Sequence, residues 1–193
     1  QIFDQDQNRA DPGHRVALNI ANVKVEDIER GDVITTKDNV VASYMLDVKV
    51  KCLPNASPID HWTRVRLLIG TQEVIGRIVP LATEAIQPGE EAYAQLRLES
   101  ECVAKKGDRF ILRSYSPMTT IGGGFVLEAE PKKHKKSDTS VVASLQIKEE
   151  SDPEDLLLDF FNQSDDLYFT KDALGKSVEG LGEKRDPTQF TKE

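Results

Sequence analysis

The chain has 193 residues, 38% hydrophobic and 30% charged, with 25 Lys and Arg against 33 Asp and Glu and a formal net charge of −8. No apolar stretch approaches the roughly 20 residues that a membrane-spanning helix needs. Two cysteines, Cys52 and Cys102, do not support a disulfide framework, and the composition is neither collagen-like nor that of a coiled coil.

The polar opening Gln1–Asp11 does not read as a signal peptide, and the chain does not start with Met. A cytoplasmic piece of a longer protein, with reduced thiols and no membrane partner, is therefore expected. Charge is unevenly spread. Residues 1–136 carry 19 basic and 19 acidic side chains, while residues 137–193 carry 6 and 14, so the whole net charge belongs to the tail. A local basic patch in the first part is compatible with a polyanion, whereas the tail repels one.

In chain order, Arg15–Ile20, Asn39–Met45, Leu46–Leu53, Arg64–Ile69, Glu73–Val79, Ala92–Glu99, Arg109–Arg113 and Gly124–Ala129 read as short strands, often alternating apolar with polar. Turn signals separate them, among them Pro54-Asn55, Gly70-Thr71, Pro88-Gly89 and Gly107-Asp108. Many short strands with frequent turns predict a mainly β chain built as a barrel or sandwich. Val25–Glu29 alone in this region reads as a helical turn. Trp62, after a Pro-rich segment, reads as a partly buried anchor and not as a stacking platform.

Lys132, Lys133, Lys135 and Lys136 then form a dense basic run, a candidate RNA contact, and Ser137–Ser140 a polar linker. After Pro153, Glu154–Phe161 predicts a short helix, with Thr170 capping a second.

Enzyme motifs fail on inspection. Leu174-Gly175-Lys176-Ser177 resembles the end of a phosphate-binding loop, but Thr170 stands where the loop needs glycine. His14, His61 and His134 are far apart in sequence, and the cysteines lack metal-ligand spacing, which makes them buried structural thiols. No catalytic residue and no metal site is expected.

Two segments resemble a known family. Gly13-His-Arg-Val-Ala-Leu-Asn-Ile20 with Val25-Glu-Asp-Ile-Glu-Arg-Gly-Asp-Val33 is similar to the end of the second domain of translational GTPases. Gly107-Asp-Arg-Phe-Ile-Leu-Arg113 with Ser116-Pro-Met-Thr-Thr-Ile-Gly-Gly-Gly124 is similar to the end of the third, in the form found in selenocysteine-specific elongation factors.

The resemblance covers residues 1 to about 131 and implies elongation-factor-Tu-like barrels. Residues 1–36 would be the C-terminal part of barrel domain II, and 37–131 a complete, six-stranded barrel domain III. Residues 132–152 would be a basic then acidic linker. Residues 153–193 would be a partial helical domain, where the family continues into winged helices. A truncated barrel domain II predicts an open edge, prone to strand exchange or dimerisation.

The resemblance also implies a role. GTP and magnesium would belong to a domain outside this chain. The chain would contribute to binding selenocysteinyl-tRNA for delivery to the ribosome, and the mRNA hairpin would be bound by C-terminal domains mostly absent here. His14 and Arg15 align with the stretch of elongation factor Tu that meets the terminal adenosine and the esterified amino acid. A guanidinium suits an ionised selenol better than a neutral serine hydroxyl. Arg113, Ser116, Thr119, Thr120 and Gly122 align with the segment that touches the T-stem backbone, although the loop is longer here and Thr119 replaces an Arg. The residues taken alone leave a competing reading, a non-catalytic β-barrel protein-interaction module with an acidic tail. A hydrolase is a third, without a supporting cluster.

Overall fold

The computed structural model describes residues 9–11, 13–35, 40, 42–134 and 139–150. Its centre is a closed antiparallel barrel. The strands are β1 (Ala42–Cys52), β3 (Thr63–Ile69), β4 (Gln72–Pro80), β6 (Glu91–Val103), β7 (Arg109–Ser114) and β8 (Thr120–Glu128), in the order β1-β6-β4-β3-β7-β8 with β8 back on β1. Two short strands, β2 (Ile59–Asp60) and β5 (Ala85–Ile86), pair with each other beside it.

Alternation builds the barrel. Leu46, Val48, Val50 and Cys52 of β1, Val65, Leu67 and Ile69 of β3, and Ala94, Leu96 and Leu98 of β6 all point inward and are buried. The strands expected at Asn39–Met45 and Leu46–Leu53 form one strand. The seam between them is a register shift between Ser43 and Met45, where the Ser43 hydroxyl donates to the Met45 carbonyl (2.8 Å) and accepts from its amide (3.1 Å).

Glycine makes closure possible. A Cβ on Gly122 would lie 2.5 Å from the Lys51 carbonyl oxygen, and one on Gly124 only 1.8 Å from that of Lys49. At these positions β8 approaches β1 more closely than any side chain allows.

Three expectations need correcting. Residues 15–20 form no strand. Among the described residues no strand pairs with them, and Leu18 and Ile20 are exposed. The 3-10 turn at Val25–Asp27 does appear, and Gly31 rests against Gln72.

Residues 132–152, expected to be a basic then acidic linker, contain α1 (Thr139–Glu150). Its opening Thr-Ser-Val-Val has weak helix propensity, so the helix depends on docking. Leu145 is buried with Leu81 and Leu127, flanked by Tyr93, Phe125, Val141 and Val142. Ion pairs Lys49–Glu149 (2.5 Å) and Lys148–Glu128 (2.7 Å) tie it down, and Glu149 also accepts from the Tyr93 hydroxyl (2.5 Å). The Glu149 carboxylate raises the Lys49 pKa above its usual value.

The third concerns Gly122, whose burial against Lys51 removes it from the outer surface. The helices expected at 154–161 and after Thr170 lie outside the described residues, as do Lys135 and Lys136.

Candidate nucleic-acid interface

The outward positions of four neighbouring strands gather cations. Pairing sets Arg64 of β3 opposite Arg77 of β4, and Arg77 opposite Arg97 of β6. Two residues along β3, Arg66 faces Arg113 of β7. Like charges directly across a pair of strands are destabilising, and the face is only partly neutralised. Arg64 donates two hydrogen bonds to Glu99 (2.9 and 2.8 Å), and Arg66 one to Glu73 (2.6 Å). The hydrogen bond from Arg64 holds the Glu99 carboxyl below its usual range.

Among the described residues no carboxylate pairs with Arg77, Arg97 or Arg113. Among the described residues the buried Nε atoms of Arg66 and Arg113 find no acceptor. Two aromatic rings sit among these cations. Tyr115, 38% exposed, lies 4.1 Å under the Arg64 guanidinium and 5.1 Å from that of Arg66. Trp62, 43% exposed, lies 5.7 Å from Arg77 and 5.4 Å from Arg97. The ring expected to serve as a partly buried anchor is thus nearly half open.

A fully bonded network fastens the chain's exit from the barrel beside Arg97. Gln95, completely buried, donates to Asp47 (3.0 Å) and to the Lys132 carbonyl (2.9 Å), and accepts from the His134 amide and Arg97 Nε (both 3.3 Å). Arg97 Nη2 donates to the His134 carbonyl (3.0 Å), and the His134 ring pairs with Asp47 (2.6 Å). Burial lifts the Asp47 carboxyl to about 6, against the lowering pull of His134 and Gln95. The strap 131–134 is thereby laid across β6 and β1, with Lys132 and Lys133 exposed on it.

Residues 46–133 match the family model described as "Selenocysteine-specific elongation factor, beta-barrel domain". This chain carries a beta-barrel domain of the selenocysteine-specific elongation factor family. A selenocysteine-specific elongation factor of Desulfomicrobium baculatum is 31% identical over 125 residues, 64% of this chain and 20% of the relative. The factor of Haemophilus influenzae is 26% identical over 141 residues, 71% of this chain and 22% of the relative. That of Methanocaldococcus jannaschii is 30% identical over 166 residues, 74% of this chain and 35% of the relative. The chain thus spans between 20% and 35% of the length of these curated relatives.

In this elongation-factor barrel the expected site residues separate into groups. Arg113, Ser116, Thr119 and Thr120 come together at the β7–β8 turn beside Arg66. Arg113 Nη2 donates to the Met118 carbonyl (2.9 Å), and the Thr119 hydroxyl and amide meet the Ser114 hydroxyl (2.9 and 3.1 Å). Ser116 and Thr120 are exposed there.

His14 and Arg15 are both exposed and lie in irregular chain, with His14 Nδ1 against the Asp11 carbonyl (3.0 Å). Among the described residues no hydrogen bond or ion pair joins either of them to the arginine face. Sequence reasoning missed Arg64, Arg66, Arg77, Arg97 and Tyr115. The alternation Arg64-Val-Arg66-Leu was a readable signal for an outward cationic stripe, but the pairing that brings Arg77, Arg97 and Arg113 beside it was not.

Proposed function

We propose that the chain acts as the tRNA-binding barrel portion of a cytoplasmic translation factor, contributing to the capture of selenocysteinyl-tRNA for delivery to the ribosome. In this reading the outer face of β6-β4-β3-β7 follows an RNA backbone. The observation that carries it is the cross-strand gathering of Arg64, Arg66, Arg77, Arg97 and Arg113, with Glu99 and Glu73 alone among the described residues as paired counterions. A polyanion relieves the mutual repulsion that these arginines otherwise impose, and guanidinium forks suit phosphate oxygens. Lys132 and Lys133 extend the positive surface along the strap, and Ser116 and Thr120 supply hydroxyl donors beside Arg113. Residues 1–36 as part of domain II, the ribosome as partner, and an mRNA hairpin bound by downstream winged helices belong to the same reading.

The test is fluorescence anisotropy of a labelled tRNA acceptor–T-stem duplex titrated with the chain at several salt concentrations. Arg66→Ala and Arg113→Ala should each weaken binding and reduce the salt slope by about 0.9 for each lost phosphate contact in a duplex. Binding that neither substitution changes removes this face from the proposal. If the chain retains protein partners and no RNA, the protein-interaction reading stands instead.

The selenol-recognition role of Arg15 requires the whole factor. There, Arg15→Ala and His14→Ala should reduce the preference for selenocysteinyl- over seryl-tRNA, and unchanged discrimination would reject the role.

A further inference from the structure

We infer that Trp62, backed by Arg77 and Arg97, is a stacking site for one unpaired nucleobase. This deepens the RNA reading above and rests on it, adding a base-recognition point to a surface so far argued only from phosphate chemistry. Trp62 sits at the β2–β3 corner with φ at +69°, a backbone region that bulky residues rarely enter. The corner is held there from β4. The Trp62 amide donates to the Ile78 carbonyl (2.8 Å), and Arg77 Nη1 donates to the Trp62 carbonyl (3.0 Å).

The barrel core closes without this indole, which is 43% exposed, so core packing does not account for its placement. Strained backbone that keeps a large apolar ring in solvent points to a ligand for the ring.

The surroundings define the ligand's chemistry. His61 extends the aromatic surface, its ring 6.1 Å from the indole and inclined by 27°. Arg97 is fixed by Gln95 and by the His134 carbonyl, and Arg77 by the Trp62 carbonyl, so both cations are held over the ring with donors to spare, and a base must use the part of the indole they leave open. Among the described residues neither is paired with a carboxylate. A part-exposed ring flanked by guanidiniums that form no ion pair among the described residues accepts a flat π-system with an adjoining phosphate. Bases inside a duplex have covered faces, so the occupant is an unpaired nucleotide. Arg77 lies directly opposite Arg64, which places the stacking site at the border of the duplex-facing arginines.

Trp62 is the chain's only tryptophan, so emission excited selectively at tryptophan, beyond the absorption of the four tyrosines, reports on this site alone. The full chain is titrated with a short oligoadenylate, with an abasic oligomer of equal charge, and with a blunt RNA duplex. Anisotropy of end-labelled probes measures binding in parallel.

Oligoadenylate should quench the emission, while the abasic oligomer and the duplex should not. Trp62→Leu should weaken oligoadenylate binding by about tenfold to a hundredfold, the effect of losing one base–aromatic stack. It should weaken duplex binding much less than oligoadenylate binding, while Trp62→Tyr retains most of the oligoadenylate affinity. If Trp62→Leu fails to fold, the comparison of oligoadenylate with the abasic oligomer on the unmodified chain decides the question.

Unaltered emission at saturating oligoadenylate, or equal quenching by the abasic oligomer, overturns the inference. Duplex binding that depends on Arg66 without oligoadenylate quenching defeats the stacking site and leaves the duplex-facing reading intact. Quenching without duplex binding does the reverse.

Discussion

Replacing Gly124 with alanine tests the account of barrel closure most directly. The added methyl would sit 1.8 Å from the Lys49 carbonyl oxygen and 2.9 Å from its carbon, with the Phe110 ring 3.2 Å away. Side-chain carbons do not approach non-bonded atoms closer than about 3 Å, so β8 and β1 must separate by more than an ångström at this point. The obstacle is backbone and cannot rotate aside.

Overpacking against movable neighbours costs about 1–3 kcal/mol. Here the strands must also give up part of the pairing around Val50 and Gly124. A loss of about 3 kcal/mol or more is expected, an order-of-magnitude figure. At roughly 4–8 °C per kcal/mol for a domain of this size, the melting midpoint falls by at least about 12 °C. Urea and thermal melts followed by far-ultraviolet circular dichroism measure it.

Gly70→Asn is the control. Its φ of +55° is one that Asn tolerates, and nothing lies within 4 Å of the added carbon, so its change should stay within about 1 kcal/mol. If Gly124→Ala melts within about 1 kcal/mol of the parent, the close-approach argument for the glycine run is wrong.

Leu145→Ala should undock α1 rather than unfold the barrel. A loss near the lower end of the about 2–5 kcal/mol seen for buried leucines is expected, read as accelerated hydrogen exchange in 139–150 with the barrel amides still protected. For Asp47 the folded-state value of about 6 exceeds its ordinary 3.8, so the folded chain binds more protons between these limits. Relative to Asp47→Asn, the parent should lose stability as pH rises from about 4 to 6, by at most about 3 kcal/mol. A difference that is flat or grows with pH in paired urea melts contradicts the burial-driven shift. Cys52 and Cys102 are both fully buried, and burial pushes the Cys102 thiol up to about 11. Both should therefore resist alkylation at pH 8 in the folded chain and react in urea, as mass spectrometry would detect.

Strand alternation and glycine-marked turns made the barrel readable, because each strand carries one buried and one solvated face. Arg64–Ile69 against the observed Thr63–Ile69 shows how closely period two specifies an element. The outcome at residues 15–20 is different for a physical reason, since a strand pattern becomes a strand only when a partner supplies hydrogen bonds. Helix α1 escaped because Thr, Ser and Val dominate its start, and its stability comes from Leu81 and Leu127, far away in sequence. For the interface, the β7–β8 turn was identifiable from its motif. Arg77 and Arg97 join Arg64 only through strand pairings between segments separated by as many as 20 residues, which no local pattern encodes.

The anchoring of α1 has a mechanical consequence. Leu145, Lys148 and Glu149 grip the barrel near the helix's far end, on β1, β6 and β8. Arg97 joins the strap that leads to this helix to the shelf under Trp62. A pull or twist on the last turn of α1 therefore reaches Tyr93 and Lys49 directly through Glu149. Tyr93 and Arg97 lie on the same strand, β6, so a load on this helix is delivered to the strand that carries one cation of the arginine face.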